Sequence, residues 1–222
     1  MKQSFRRSLT MFAVLALTIG MSATPMSSLA HSTARRQQHT ALSTPGSNQA
    51  AATTQNSEYR RMLDAVLREH AALTVPALKA QLLQEPDRAA LMAALDRNSM
   101  MVAGTVAQAY PGTRDPFLSL WREHIQYYMD YLAASAASDQ TGRQEAQNNL
   151  LLFTDRASIL LDNSNRRLNE AVLKQQLTVH GMQVLSIIDN LVAGNYPAVY
   201  TTAHQAYLHM GTLTDTLVRR TG

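Results

Sequence analysis

Leu173-Lys174-Gln175-Gln176-Leu177-Thr178-Val179-His180-Gly181-Met182-Gln183-Val184-Leu185-Ser186-Ile187-Ile188-Asp189-Asn190-Leu191 is the stretch that decides the fold. Leu173, Leu177, His180, Val184, Ile187 and Leu191 follow one another at steps of 4, 3, 4, 3 and 4 residues. Steps of three and four keep side chains on one stripe of an α-helix, whereas a strand requires alternation. All but one of these residues are aliphatic, so the stripe faces a core. The exception is His180, and a polar ring inside an apolar seam costs free energy unless it finds a partner.

Working outward, the same pattern recurs. One seam holds Leu63, Leu67, His70, Thr74 and Ala77, and another holds Phe117, Leu120, Trp121, His124, Tyr128 and Tyr131. Further stripes carry Leu91, Leu95, Asn98 and Val102, then Leu150, Phe153, Ala157 and Leu160, then Val199, Ala206, Met210, Leu213 and Leu217. Turn residues separate them: Glu85-Pro86-Asp87, Tyr110-Pro111-Gly112-Thr113, the segment around Asp139 and Gly142, Asp162-Asn163-Ser164-Asn165, and Gly194 ahead of Tyr196-Pro197. Asp115 and Pro116 suit the N-cap and N1 positions of a third helix, a fourth starts near Arg143, and Pro76 is placed to kink the first. No segment alternates as a strand would. The expectation is an all-α domain, an up-down bundle of about six helices in three hairpins. One six-helix bundle and a four-helix bundle with an outlying pair both satisfy this pattern.

The chain has 222 residues, and its first thirty read as a signal peptide. Lys2, Arg6 and Arg7 precede an apolar run from Met11 to Met21, and Ser28-Leu29-Ala30 is a small-residue cleavage site. The run is short for a membrane span, although an uncleaved anchor is the competing reading. Residues 31–57 are rich in Ser, Thr, Gln and Ala and poor in large apolar side chains, so a disordered linker is expected there. His31 and His39 fall in that stretch. The bundle is then expected over residues 58–222, secreted or held in the cell envelope, with no membrane insertion after signal cleavage.

Removing residues 1–30 leaves 17 basic against 16 acidic residues, a net charge of +1. That balance, with no basic patch interleaved with aromatics, argues against nucleic acid as a partner. The chain contains no cysteine, which excludes thiolate ligands, thiol nucleophiles and c-type haem attachment. There is no phosphate-cradling glycine loop, no HExxH and no Gly-x-Ser-x-Gly, so a binding protein is expected rather than an enzyme.

His70 and His124 are 54 residues apart, and His124 and His180 are 56 apart, about the length of a helical hairpin. Leu67, Trp121 and Leu177 each precede one of these histidines by three positions, and Arg-Glu-His occurs at 68–70 and 122–124. Each of the three falls near the middle of its expected helix, as do Asn98 and His209. In an up-down bundle the helix middles share a height, so a polar layer across the core is expected. Met182 and Met210 adjoin His180 and His209. Imidazole with thioether and no thiolate suits copper. The expected ligand set is His70, His124, His180, His209, Met182 and Met210, with Asp96, Asn98 and Ser99 supporting it from behind. Iron, zinc and haem are the alternative cofactors.

The segments Leu67-Arg68-Glu69-His70, Leu95-Asp96-Arg97-Asn98-Ser99, Leu120-Trp121-Arg122-Glu123-His124 and Ala206-Tyr207-Leu208-His209-Met210 resemble recurring segments of a secreted all-helical family of Gram-positive-type bacteria. Members are sometimes labelled alongside a copper amine oxidase N-terminal-like domain. The resemblance spans about residues 60–218. It implies an extracellular all-α fold, singles out His70, His124, His180 and His209, and carries no activity.

Two functions follow as expectations. The first is a secreted bundle that binds a metal ion, copper first, or haem through its mid-core His/Met layer. The second is an envelope interaction or structural module without a ligand, whose histidines form a buried hydrogen-bond layer that sets helix register. A protein partner is not identified by the sequence.

Overall fold

The computed structural model describes residues 45–218, with side chains from residue 54 onward. Six α-helices follow in order: α1 Pro45–Leu83, α2 Arg88–Ala109, α3 Arg114–Ala136, α4 Gln140–Ser164, α5 Glu170–Val192 and α6 Tyr196–Val218. Among the described residues there is no strand. The proposed signal peptide, with His31 and His39, lies outside them.

Three helix starts differ from expectation. α1 begins at Pro45, so residues 45–57 of the expected linker are helix. Pro45 suits a first turn, and Ala50, Ala51 and Ala52 have high helix propensity without any apolar stripe to reveal it. The N-cap of α3 is Thr113 rather than Asp115, which sits in the first turn and pairs with Arg114. α4 starts at Gln140 because the Asp139 carboxylate accepts a hydrogen bond from the Gly142 backbone at 3.0 Å.

Each helix packs on the next, α6 returns to α1, and α1, α3 and α5 also touch one another. The odd-numbered helices therefore form an inner triangle, and α2, α4 and α6 fill the outer positions. The three hairpin turns are built alike. Gln84, Ser138 and Gly194 take left-handed φ values of 57°, 56° and 71°. The next backbone N–H reaches back to a carbonyl five residues earlier: Glu85 to Ala80 at 2.9 Å, Asp139 to Ala134 at 2.8 Å and Asn195 to Asn190 at 2.8 Å. This is the Schellman closure, which satisfies carbonyls left open at a helix end. The turn residues are 54 and 56 positions apart, the same intervals that separate the histidines.

Most of the core comes from the expected seams, although Leu91 and Leu160 are only half-buried and Leu78 and Ile188 join it from outside them. Leu63, Leu67, Leu78, Leu95, Leu173, Ile187, Ile188 and Leu213 are among its most deeply buried side chains. The Tyr110 hydroxyl donates to the Leu217 carbonyl at 2.8 Å and fastens the end of α2 to the end of α6. Among the described residues, no helix is long and apolar enough to cross a membrane.

Candidate functional site

His70, His124 and His180 each precede the left-handed turn residue of their hairpin by 14 positions. At about 1.5 Å of rise per residue this places all three roughly 21 Å from the same end of the bundle. Their helices are the inner triangle, so equal height becomes proximity. The ring centres of His70 and His124 lie 5.4 Å apart, and those of His70 and His180 lie 6.0 Å apart. The three side chains are 1%, 1% and 3% exposed.

Aromatic side chains close the layer. Trp121 lies one turn before His124, with its ring centre 4.5 Å from His124 and 5.0 Å from His70. Phe153 of α4 stacks on His124 at 4.7 Å, and Tyr128 meets it edge-on at 5.4 Å. Gly181 lets α4 approach beside His180, since a methyl there would meet Leu150 Cδ2 at 2.9 Å. Met210 is fully buried on α6, which packs against both α1 and α5.

No hydrogen bond of ordinary geometry reaches any of the six imidazole nitrogens, although Asn98 beside His70 and the Trp121 backbone beside His124 act on those rings. The Trp121 indole N–H and Asn98 Oδ1, also buried, share that condition. Each such atom costs about 1–3 kcal/mol. Eight of them total on the order of 10 kcal/mol or more, which rivals the whole stability of an ordinary domain. A polar core of this size calls for something that satisfies it.

Burial sets the charge state. It lowers His70 to about 4, with Asn98 acting weakly in the opposite direction. It lowers His180 to about 3, assisted by His70 and His209. His124 falls well below its ordinary value through burial first, then through His70 and His180. All three are neutral at neutral pH, the form in which imidazole binds metals. Burial also pushes the Tyr128 hydroxyl upward, so it stays protonated.

Other expected site residues are placed elsewhere. Met182 is 43% exposed, because two residues beyond His180 is about 200° around the helix. His209 is half-buried, and its Nε2 donates to the Gln176 carbonyl of α5 at 3.0 Å. Asp96 faces the surface and takes a two-pronged pair from Arg122, at 2.6 and 3.1 Å. Ser99 is buried but donates to the Leu95 carbonyl of its own helix. Asn98 does reach the layer: its Nδ2 donates to the Val66 carbonyl at 2.9 Å and to Glu69 Oε2 at 3.0 Å. Trp121 and Phe153 belong to the site as much as the histidines do. The sequence signal for Trp121 was its place one turn before His124.

Metal–imidazole bonds of about 2.0–2.1 Å, at tetrahedral to trigonal angles, put ring centres roughly 5–6 Å apart. The spacings of His70 to His124 and of His70 to His180 fit that range. Their orientation does not: among the described residues, no three His, Cys, Asp or Glu side chains are arranged to hold a metal ion. Coordination would require the rings to turn about their side-chain bonds. In comparisons with known proteins, no family model, curated protein or solved structure matches the chain.

Proposed function

We propose that this chain is an exported, non-enzymatic helical bundle that binds one transition-metal ion, copper first, on His70, His124 and His180. Met210, the fully buried thioether of α6, is the candidate sulfur ligand, and Asn98 supports His70 from α2. The observation that carries this reading is the set of six unpaired imidazole nitrogens on three neutral, buried, neighbouring rings. Neutral nitrogen donors with a buried thioether and no thiolate favour copper over harder ions, with zinc and iron next. A single ion suits the site better than haem, because Trp121, Phe153 and Tyr128 already pack against the imidazoles. Binding, storage or sensing outside the cytoplasm is the role this assigns.

The experiment is metal analysis of protein produced with and without added copper, followed by melting with copper, zinc, iron and haem. A ligand that binds only the folded state must raise the melting temperature, by about 2.7 kcal/mol of stability at a hundredfold excess over Kd. Copper copurification and a copper-dependent rise are expected. No metal and no shift with any of the four would defeat the reading.

A second reading draws on the balance of polar groups. Three neutral imidazoles and one indole provide four N–H donors, while three ring nitrogens and Asn98 Oδ1 provide four acceptors. Small rotations, or bridging water, would satisfy the layer without an ion and make it a register-setting core in an envelope module. The absence of a metal-ready arrangement favours this alternative. It expects no ion to bind and the histidines to matter only for folding.

A further inference from the structure

The amide of Asn98 is held in one orientation. Both of its Nδ2 hydrogens have acceptors, the Val66 carbonyl at 2.9 Å and Glu69 Oε2 at 3.0 Å. Reversing the amide would set its oxygen against both acceptors, so the contacts decide which end is nitrogen. Oδ1 is the end left over, buried and unpaired. The two partners of the amide, Val66 and Glu69, stand four residues and one residue before His70 on α1, so the Asn98 side chain lies against the turn of helix that carries the ring. Both nitrogens of His70 are unpaired as well.

We infer that Asn98 is a positioning residue for the centre: its Oδ1 takes the N–H of His70, so that the other His70 nitrogen carries the lone pair offered to the ion between His70, His124 and His180. The inference deepens the proposed ion-binding function and rests on it for the ligand role of His70. Neutral imidazole has one N–H and one lone pair, and only the lone-pair nitrogen binds a metal. Anchoring the N–H on an amide oxygen selects the tautomer before the ion arrives. The relay starts at the exposed Glu69 carboxylate, passes through the buried Asn98 amide and ends on the core ring. α4 presents Phe153, stacked on His124, and α6 contributes the fully buried Met210. His70 is thus the ring oriented in advance, and His124 and His180 are the rings that turn when the ion enters.

The test is long-range proton–nitrogen correlation NMR on the metal-free protein with labelled histidine, comparing wild type with Asn98→Leu. The expected wild-type result is one tautomer at His70. In Asn98→Leu the His70 nitrogens average between tautomers, and copper affinity falls about 10–100-fold. Should Asn98→Leu fail to fold, Glu69→Ala carries the test, because it frees the amide from the exposed side and is expected to produce partial averaging. An averaged His70 in wild type, or a single unchanged tautomer in the variant that folds, overturns the inference. A single tautomer lost in the variant, with no copper uptake by wild type, supports Asn98 as the residue that orients His70 and defeats the ion-binding function alone.

Discussion

His180 and His209 sit in the same hairpin, and the sequence places both beside a methionine within an apolar helix. In the fold they belong to different regions. His180 is on the inner triangle, where its ring is closed in and neither nitrogen finds a partner. His209 is on the outer ring, half-buried, and donates to the Gln176 carbonyl. The difference shows what makes a buried histidine informative. A ring at an interhelical seam can settle its hydrogen bonds with a neighbouring backbone, whereas a ring at the centre of three inward faces can look only to its fellows or to a ligand.

The sharpest way to break this contrast is acid. For His70 and His180 the folded-state values, about 4 and about 3, lie below the unfolded value of 6.5. The unfolded chain therefore binds more protons below pH 6.5, and stability falls as pH drops from there, levelling only beneath the folded values. At pH 4 each ring removes roughly 3 kcal/mol, and His124 adds to the loss in the same direction. Urea unfolding between pH 7.5 and 5 reads this above most of the carboxylate range. A flat profile would mean the rings are not buried as neutral groups.

Next comes ion binding. His180→Gln is expected to abolish copper uptake, while His209→Gln keeps it and costs about 1 kcal/mol of stability for one hydrogen bond. Equal loss in both variants, measured by copper titration, would erase the distinction between the regions.

Packing separates the regions by a smaller amount. Gly181→Ala drives a methyl to 2.9 Å from Leu150 Cδ2 in the buried layer, a clash that outweighs the helix-propensity gain and is expected to cost up to about 2 kcal/mol net. Gly104→Ala on α2 meets nothing within 4 Å and is expected to stabilise by up to about 1 kcal/mol through helix propensity. Denaturant midpoints of the two variants should move in opposite directions. The smallest effect is at the hairpin turns, where Ser138 holds a φ of 56° that glycine adopts without strain. Ser138→Gly is expected to raise stability by up to about 1 kcal/mol, and a decrease would argue against the shared turn geometry.

Much of the helical architecture was legible from sequence because steps of three and four mark every core stripe, and Pro, Gly, Asn and Asp mark most breaks. The burial of His70, His124 and His180 was legible for the same reason: each occupies a seam position. What escaped has physical causes. The start of α1 carries no apolar stripe, so its alanine propensity reads like linker composition. Gln84 and Ser138 close their turns in a conformation that glycine usually signals, which hid the likeness of the three hairpins. Met182 and His209 look like site residues because sequence adjacency mimics spatial adjacency, yet one or two residues along a helix is a different face. The Arg-Glu-His triplets read as a mark of the repeat, and their outward members bind neighbouring helices: Arg122 pairs with Asp96, Arg68 reaches the Tyr207 carbonyl, and Glu69 receives Asn98.

The most direct measurement of the central claim is X-ray absorption spectroscopy of copper-loaded protein after exchange against a weak chelator. Three imidazole nitrogens at about 2.0 Å are expected, with a longer sulfur contribution if Met210 joins them. A copper shell dominated by oxygen, or no copper surviving the exchange, would contradict the assignment of the His70–His124–His180 layer as a metal centre.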